Sequence, residues 1–315
     1  MSIAGIFPGQ GSQSLGMLAE LASRFADVQA TFAEASDVLG KDLWQLAQEG
    51  PEAALNSTEN TQPLMLAAGV AVWRVWLKEG GCMPVALAGH SLGEYSALVA
   101  AGVLPFAQAV ALVAERARLM QGAVAEGAGA MAAILGLEDA QVIAACEQAA
   151  EGQVVEAVNF NSPAQVVIAG DAAAVERAIA VATTLGAKKV VKLSVSVPSH
   201  CALMQPAAEQ LAIQLRNVTF SAPQIPVLHN IDATIRTTSE QICTALEQQL
   251  YRPVRWVDTI QQLKTQYAVN AVVEFGPGKV LAGMNKRIDR RMPAVCVYDS
   301  ATLEEALKLC GEVTA

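Results

Sequence analysis

The stretch Val85-Ala86-Leu87-Ala88-Gly89-His90-Ser91-Leu92-Gly93-Glu94-Tyr95-Ser96-Ala97-Leu98-Val99 combines three patterns. Val85–Ala88 is apolar and predicts a strand, residues 89–93 match G-x-S-x-G, and the residues after them fit a helix. A nucleophile elbow needs this setting, because glycines let the backbone approach closely on both sides of a strained serine. Ser91 is therefore a candidate nucleophile, and the alternative is a glycine-rich turn with an incidental serine.

Short apolar runs and longer helical patterns alternate on both sides of this stretch, which predicts an α/β fold with a mostly parallel sheet. The other predicted strands are Ile3–Phe7, Val227–Asn230, Ala271–Phe275 and Ala294–Tyr298. The predicted helices are Leu15–Leu39, Gln62–Lys78, Glu94–Ala101, Phe106–Gln121, Ala202–Leu215, Ser239–Leu250 and Val280–Ile288.

The middle of the chain has a different order of elements. It predicts strands at Ala130–Leu135, Val154–Val158, Gln165–Ala169 and Lys189–Val195, helices at Ala140–Ala150 and Ala172–Leu185, and a turn at Asn159–Pro163. The order βαββαβ is typical of a ferredoxin-like domain. We therefore expect a discontinuous large domain, residues 1–127 and 197–315, with a small ferredoxin-like domain of residues 128–196 inserted into it.

Composition limits the class of protein. Of 315 residues, 53% are hydrophobic and 16% are charged, which excludes intrinsic disorder. The net charge of −9 argues against nucleic-acid binding. Six dispersed cysteines without a C-x-x-C pair favour buried free thiols in a reducing compartment. Neither a signal peptide nor a membrane-spanning run is indicated, so we expect a cytoplasmic protein without membrane contact.

A serine nucleophile needs a base, and the chain has three histidines. His90 adjoins Ser91, and neighbouring side chains diverge on a sharp turn. His229 lies in an apolar strand pattern that fits a core histidine. His200 follows the point where the inserted domain returns to the large one, and clefts form at domain junctions. Elimination indicates His200 as the base, the alternative being a structural loop histidine.

Arg116 is unusual because it falls within an apolar stripe. The stripe follows helical spacing on the predicted helix and consists of Leu112, Val113, Leu119 and Met120. A guanidinium on a buried face needs an anion, which is either a protein carboxylate or a ligand. A buried ion pair and a snorkelling side chain are the alternatives to a substrate carboxylate, which a nearby nucleophile favours. No cluster of side chains has metal-ligand spacing, so no metal is expected.

Five motifs occur together and in order: Phe7-Pro8-Gly9-Gln10-Gly11-Ser12-Gln13, Gly89-His90-Ser91-Leu92-Gly93-Glu94-Tyr95-Ser96-Ala97, Asn159-Phe160-Asn161-Ser162-Pro163, Val197-Pro198-Ser199-His200 and Glu274-Phe275-Gly276-Pro277-Gly278. Nearly end to end, the chain resembles the malonyl-CoA:acyl-carrier-protein transacylases of bacterial type II fatty-acid synthesis. The resemblance implies an α/β-hydrolase-like large domain with an inserted ferredoxin-like small domain, in agreement with the order of elements.

The resemblance also implies catalytic roles. Ser91 would be the acylated nucleophile and His200 its base. A backbone carbonyl would replace the usual acid as the partner of the histidine, and by position this carbonyl belongs to Gln249.

Substrate binding follows from the resemblance in the same way. Arg116 would pair with the malonyl carboxylate, and the backbone N–H groups of Gln10 and Leu92 would form the oxyanion hole. The implied reaction is ping-pong transfer from malonyl-CoA to the phosphopantetheine thiol of acyl carrier protein. Coenzyme A and phosphopantetheine act as substrate carriers, so no cofactor is expected. The chain is expected to be a monomer.

Three other functions stay open at this point. A serine thioesterase or hydrolase would share the elbow and the base, although an ordinary ester does not require the buried arginine. A non-catalytic scaffold that binds carrier protein would not need Ser91. A malonyl-loading transferase of a polyketide or malonate decarboxylase system would use the same chemistry on a different carrier.

Overall fold

Two β-sheets flanked by helices organise the chain, and the computed structural model describes residues 2–193 and 197–314. The strands are β1 (Ile3–Phe7), β2 (Ala86–Gly89), β3 (Gly129–Leu135), β4 (Val155–Ser162), β5 (Gln165–Asp171), β6 (Lys189–Lys192), β7 (Val227–Leu228), β8 (Ala271–Phe275) and β9 (Ala294–Val297). The helices are α1 (Ala19–Arg24), α2 (Ala26–Leu39), α3 (Leu43–Glu49), α4 (Glu52–Leu55), α5 (Thr58–Lys78), α6 (Gly93–Ala100), α7 (Phe106–Gly122), α8 (Asp139–Ala149), α9 (Ala172–Thr184), α10 (Gln205–Arg216), α11 (Ser239–Gln249), α12 (Trp256–Gln266), α13 (Val280–Ile288) and α14 (Ser300–Thr314).

The five-stranded sheet is parallel, as predicted, and its strand order is β7-β2-β1-β8-β9. Successive side chains of a strand point to opposite faces. In β1, Ile3 and Phe7 therefore join one apolar cluster, whereas Ala4 and Ile6 join another on the opposite face. Both faces of the sheet are covered by helices, which is why β1 and β8 are buried along their whole length.

The four-stranded sheet is antiparallel, with strand order β4-β5-β3-β6, and its elements follow one another along the chain as βαββαβ. The predicted turn at Asn159–Pro163 is wrong, because β4 continues to Ser162. Residues 159–162 pair with β5, and backbone bonds at 2.8 and 3.0 Å also join Val254 to Val158 and Phe160. This pairing on both sides overrides the turn-like composition. Of the predicted strand Lys189–Val195, the structure has Lys189–Lys192, and residues 194–196 lie outside the described residues.

Several helices differ from the prediction. The predicted helix Leu15–Leu39 is two helices, because Phe25 adopts an extended backbone between α1 and α2. Helix α5 begins at Thr58 and accommodates Pro63 near its start. Helices α3, α4, α12 and α14 were not predicted. Helices α3 and α4 have only 7 and 4 residues and give weak periodic patterns, so tertiary packing decides whether they form. The prediction omits α12 and α14 although they have 11 and 15 residues, and the buried side chains of α12 do follow helical spacing.

The glycines of the G-x-S-x-G motif bring two turns into contact. Strands β1 and β2 pair with Phe7 opposite Gly89, so the turns that follow them lie side by side. A Cβ on Gly93 would lie 2.0 Å from the Phe7 carbonyl oxygen, and a Cβ on Gly89 would lie 1.9 Å from the Gly93 carbonyl carbon. A Cβ on Gly9 would lie 2.5 Å from the His90 carbonyl oxygen. Only glycine fits at these three positions.

The prediction that all cysteines are free thiols is wrong for one pair. Cys82, shortly before β2, and Cys310, in α14, form a disulfide across a sequence separation of 228 residues. Cysteine spacing could not indicate this pair, because the fold alone brings the C-terminal helix to the loop before β2. The other four cysteines are free. Within residues 2–193 and 197–314, no helix is both long and apolar enough to cross a membrane.

We predict that Gly93→Ala lowers the free energy of unfolding by about 1–3 kcal/mol or more, because the added methyl group must displace backbone atoms. Urea denaturation measures this change. Gly283→Ala in α13 is the matched control, since nothing lies within 4 Å of the added Cβ. It should be neutral or stabilise by up to about 1 kcal/mol. Equal stabilities of the two variants would contradict the close approach of the turns.

Candidate active site

Ser91 lies in the turn between β2 and α6 with a left-handed backbone, φ 52°. Asn230, just after β7, holds this turn from both sides. Its Oδ1 accepts the Ser91 backbone N–H at 2.7 Å, and its Nδ2 donates to the Gly89 carbonyl at 2.6 Å. The strained conformation of Ser91 is therefore maintained by one buried amide and by the glycine contacts.

His200 and Ser91 are brought together as the sequence predicts. Ser91 Oγ lies 2.8 Å from His200 Nε2, and His200 Nδ1 lies 2.7 Å from the backbone carbonyl oxygen of Gln249. Because a carbonyl oxygen only accepts hydrogen bonds, Nδ1 carries the proton. The lone pair of Nε2 then faces the hydroxyl of Ser91. This is the arrangement of a general base next to a nucleophile.

Burial keeps this histidine neutral. Desolvation, with a further contribution from the charge of Arg116, lowers the pKa of His200 to about 3. The imidazole is therefore in its basic form throughout the neutral pH range.

Arg116 in α7 is 1% exposed. Its Nη1 donates to Gln62 Oε1 at 2.6 Å and its Nη2 to Gln249 Oε1 at 3.0 Å, and its Cζ lies 5.6 Å from the centre of the Tyr95 ring. Its Nε is buried without a hydrogen-bond partner in the described part of the chain. This burial excludes the snorkelling alternative. No salt bridge of Arg116 to a carboxylate is found among residues 2–193 and 197–314, which argues against the ion-pair alternative.

A cavity of about 350 Å³ opens beside the elbow, between the two sheets. Gln10 and His90 line it from the parallel sheet, and Asn159 and Asn161 line it from β4. His90 Nε2 lies 2.7 Å from Asn161 Oδ1, whereas the ring nitrogen that contacts Ser91 Oγ belongs to His200. Leu92 is buried at the start of α6, directly after Ser91.

The family of the acyl transferase domain matches residues 5–297. The malonyl CoA-acyl carrier protein transacylase of Salmonella typhimurium is 56% identical over 302 residues, 96% of this chain and 97% of the relative. The chain belongs to the malonyl CoA-acyl carrier protein transacylase family. The transacylase of Bacillus subtilis, 42% identical over 311 residues, covers 98% of both chains.

Two solved transacylases have the same fold as this chain. One is a malonyl-transacylase in complex with a type II PKS acyl-carrier protein, with a TM-score of 0.97, 55% identity, and coverage of 98% of this chain and 100% of that one. The other is the acyl carrier protein S-malonyltransferase of Vibrio cholerae, with a TM-score of 0.94, 55% identity, and coverage of 97% and 99%.

Three polar residues of this transacylase site were not identified from the sequence: Gln62, Glu94 and Asn230. All three are buried and contact the residues described above. Gln62 and Glu94 are the first residues of the helices predicted at Gln62–Lys78 and Glu94–Ala101, where a polar residue is common, so no apolar stripe marks them as it marks Arg116. Asn230 ends a predicted strand, where a polar residue is also common. The described residues contain no group of three or more His, Cys, Asp or Glu side chains that could hold a metal ion.

We predict that His200→Gln makes stability less dependent on pH. The pKa of His200 is lowered in the folded state, so between about pH 6.5 and 3 the unfolded chain binds one more proton at this residue. Stability therefore decreases as the pH is lowered through this window, by up to about 1.4 kcal/mol per pH unit, and the glutamine variant lacks this contribution. Urea denaturation at pH 6, 5 and 4 measures the slope. Ser91→Ala, which retains His200, is the control, and equal slopes in both variants would contradict a buried neutral imidazole.

Proposed function

We propose that the chain transfers a malonyl group from malonyl-CoA to the phosphopantetheine thiol of acyl carrier protein through a malonyl ester on Ser91. The observation that carries this proposal is the combination of a Ser91–His200–Gln249 hydrogen-bond chain with a buried arginine that lacks a carboxylate partner in the described chain. A nucleophile beside an unpaired guanidinium suits an acyl group that ends in a carboxylate. Family membership supports the same reaction.

In the first half-reaction, His200 Nε2 takes the proton from Ser91 Oγ as this oxygen attacks the thioester carbonyl carbon. The C–S bond then breaks, and the coenzyme A thiolate receives the proton from the imidazolium. The Gln249 carbonyl keeps Nδ1 protonated and stabilises the positive charge that forms on the ring.

The second half-reaction reverses these roles. The carrier thiol gives its proton to His200 and attacks the malonyl ester, and Ser91 leaves with that proton. In both halves the backbone N–H groups of Gln10 and Leu92 would stabilise the oxyanion. The contact of Gly9 with the His90 carbonyl, which sets the Gln10 turn against the elbow, supports this pairing.

The carrier remains a choice between two pathways. Transfer to the carrier of fatty-acid synthesis is our first proposal, in keeping with the names of the curated relatives. Transfer to a polyketide carrier is the second, because one of the similar structures is a complex with a type II PKS acyl-carrier protein.

The architecture and assembly can be specified further. When β3, β4, β5 and β6 are counted as strands 1 to 4, their order across the antiparallel sheet is 4-1-3-2. This order supports a ferredoxin-like small domain of residues 128–196. The parallel sheet with an elbow serine supports an α/β-hydrolase-like domain of residues 1–127 and 197–315.

Because one chain supplies every residue of the proposed site, a monomer would suffice. The proposed steps need no resident cofactor. Cytoplasmic location stays a prediction from the sequence.

Intact-mass measurement after mixing with malonyl-CoA tests the function. We expect the wild type to gain one malonyl group and to lose it when acyl carrier protein in its phosphopantetheine form is added. Ser91→Ala should gain nothing, and His200→Ala should acylate about 10²- to 10⁴-fold more slowly, the usual contribution of a positioned base. A full adduct on Ser91→Ala would remove Ser91 from the mechanism. Loss of the group to water at the same rate without the carrier would indicate a hydrolase.

We predict that Arg116→Ala lowers kcat/KM for malonyl-CoA by about 30- to 5,000-fold, which corresponds to about 2–5 kcal/mol for removing one partner of a buried charge pair. Acetyl-CoA has no carboxylate to lose, so acetyl transfer should stay constant or rise. For malonyl-CoA, the kcat/KM of Arg116→Lys should lie between those of the wild type and Arg116→Ala, since lysine keeps the charge but cannot form two parallel hydrogen bonds. Initial rates with both substrates measure the preference. Equal losses for the two acyl groups would show that Arg116 acts only in the fold.

A further inference from the structure

Glu94 is a buried carboxylate for which the proposed reaction has no step. It lies in the first turn of α6 and is 0% exposed. Its Oε1 lies 2.6 Å from His229 Nδ1, and its Oε2 accepts from the Asn230 backbone N–H at 3.0 Å and from Gln249 Nε2 at 2.8 Å. One carboxylate therefore connects α6 with the end of β7 and the end of α11.

Two of these partners hold the reacting residues. Asn230 is the residue whose side chain fixes the Ser91 turn, and Gln249 is the residue whose carbonyl orients His200. The side chain of Gln249 also donates to the Ser91 carbonyl at 3.0 Å. Glu94 thus contacts the supports of both the nucleophile and the base.

The orientation of the Gln249 amide follows from the charge on Glu94. A carboxylate only accepts hydrogen bonds, so the NH₂ group of Gln249 must face it. The Oε1 atom of Gln249 is then directed to the opposite side, where it accepts from Arg116 Nη2. A single amide therefore connects a buried anion to a buried cation.

Arg116 has no carboxylate in direct contact among the described residues, and both of its hydrogen-bond acceptors are neutral amides. Burial lowers the pKa of this guanidinium, and the neighbouring Tyr95 and Glu94 oppose the lowering. A buried charge without compensation is strongly destabilising. Glu94 is the carboxylate positioned to reduce that cost while the site is empty.

We propose that Glu94 is the resident counter-charge of Arg116, acting through the Gln249 amide, and that it holds the guanidinium ready for a substrate carboxylate. The part of this proposal that concerns the substrate carboxylate rests on the proposed function. Before substrate binds, the Glu94 carboxylate and the Arg116 guanidinium compensate each other's charge across the Gln249 amide, which contacts both. When malonyl binds, its carboxylate becomes the direct partner of Arg116, and Glu94 remains as a positioning residue.

Glu94→Gln separates the charge from the hydrogen bonds. The introduced amide oxygen can accept from Asn230 and Gln249, and its NH₂ group can donate to His229 Nδ1 once that ring adopts its other tautomer. The substitution therefore removes the charge while keeping the shape and the number of hydrogen bonds. Glu274→Gln is the matched control above pH 8, because burial raises the pKa of Glu274 to about 7. Above that pH it is an equally buried carboxylate that accepts from the backbone N–H groups of Leu281 and Ala282.

A double-mutant cycle tests the proposal without using activity. Glu94→Gln and Glu274→Gln are each made in the wild type and in Arg116→Met, and the unfolding constant is measured in urea. We expect Glu94→Gln to raise the unfolding constant roughly 10- to 100-fold more in the wild type than in Arg116→Met, which lies within the range for residues coupled in one network. Glu274→Gln should have the same effect in both backgrounds.

An equal effect of Glu94→Gln in the two backgrounds overturns the proposal, and so does a failure to fold in both. Folding of Glu94→Gln only when Arg116 is also replaced supports it. The readout is independent of acyl transfer, so it gives a result even if the proposed function is wrong.

The substrate clause has its own measurement. The unfolding midpoints of the malonyl-enzyme and the acetyl-enzyme are compared in the wild type and in Glu94→Gln. The malonyl-enzyme should be the more stable of the two, by a wider margin in Glu94→Gln, where the substrate carboxylate replaces a missing charge. An unchanged margin overturns the clause. Absence of any malonyl adduct on the wild type would instead contradict the proposed function.

Discussion

The left-handed backbone of Ser91 is the constraint on which the site depends. Such a conformation costs about 1–3 kcal/mol at a residue other than glycine and persists only where the surroundings determine it. Here the surroundings are the glycine contacts between the turns after β1 and β2, and the Asn230 amide that bonds to the turn on both sides. The same contacts direct the Ser91 hydroxyl toward His200. The parallel pairing of β1 with β2 thus fixes the position of the nucleophile, and the backbone of Gln249 and Leu250 holds the base beside it.

Around this turn the protein concentrates buried polar groups that would be costly elsewhere. Each buried donor or acceptor without a partner costs about 1–3 kcal/mol, so such networks are stable only when nearly every member is bonded. Glu94, Asn230 and Gln249 meet that condition through bonds to one another and to the backbone. Arg116 does not, because its Nε has no partner in the described chain. The Tyr95 hydroxyl and His229 Nε2 are likewise without a partner in the described residues, but the guanidinium is the group that a substrate carboxylate would complete.

Much of this site follows from local sequence. Ser91 lies in a motif with a mechanical reason for each glycine, His200 is one of three histidines, and Arg116 interrupts an apolar stripe. The partners of these residues are harder to predict, because Glu94 and Asn230 are 136 residues apart and only the fold brings them together. The Cys82–Cys310 pair was missed for the same reason. The prediction of a turn at Asn159–Pro163 failed differently, since the turn-like composition is outweighed by pairing with β5 on one side and with Val254 on the other. Contacts between residues that are distant in the sequence are therefore the part of the structure that local sequence patterns predict least well.

The partner of His200 Nδ1 is a main-chain carbonyl, and every amino acid has that group. No single codon change can delete it. A mutational scan across position 249 would therefore report on the side chain that links Glu94 to Arg116, and it would assign the position to substrate preference or folding. The atom that orients the base would remain invisible to such a scan. This part of the catalytic arrangement is therefore protected from point mutation. It persists as long as the end of α11, which presents the carbonyl, keeps its position.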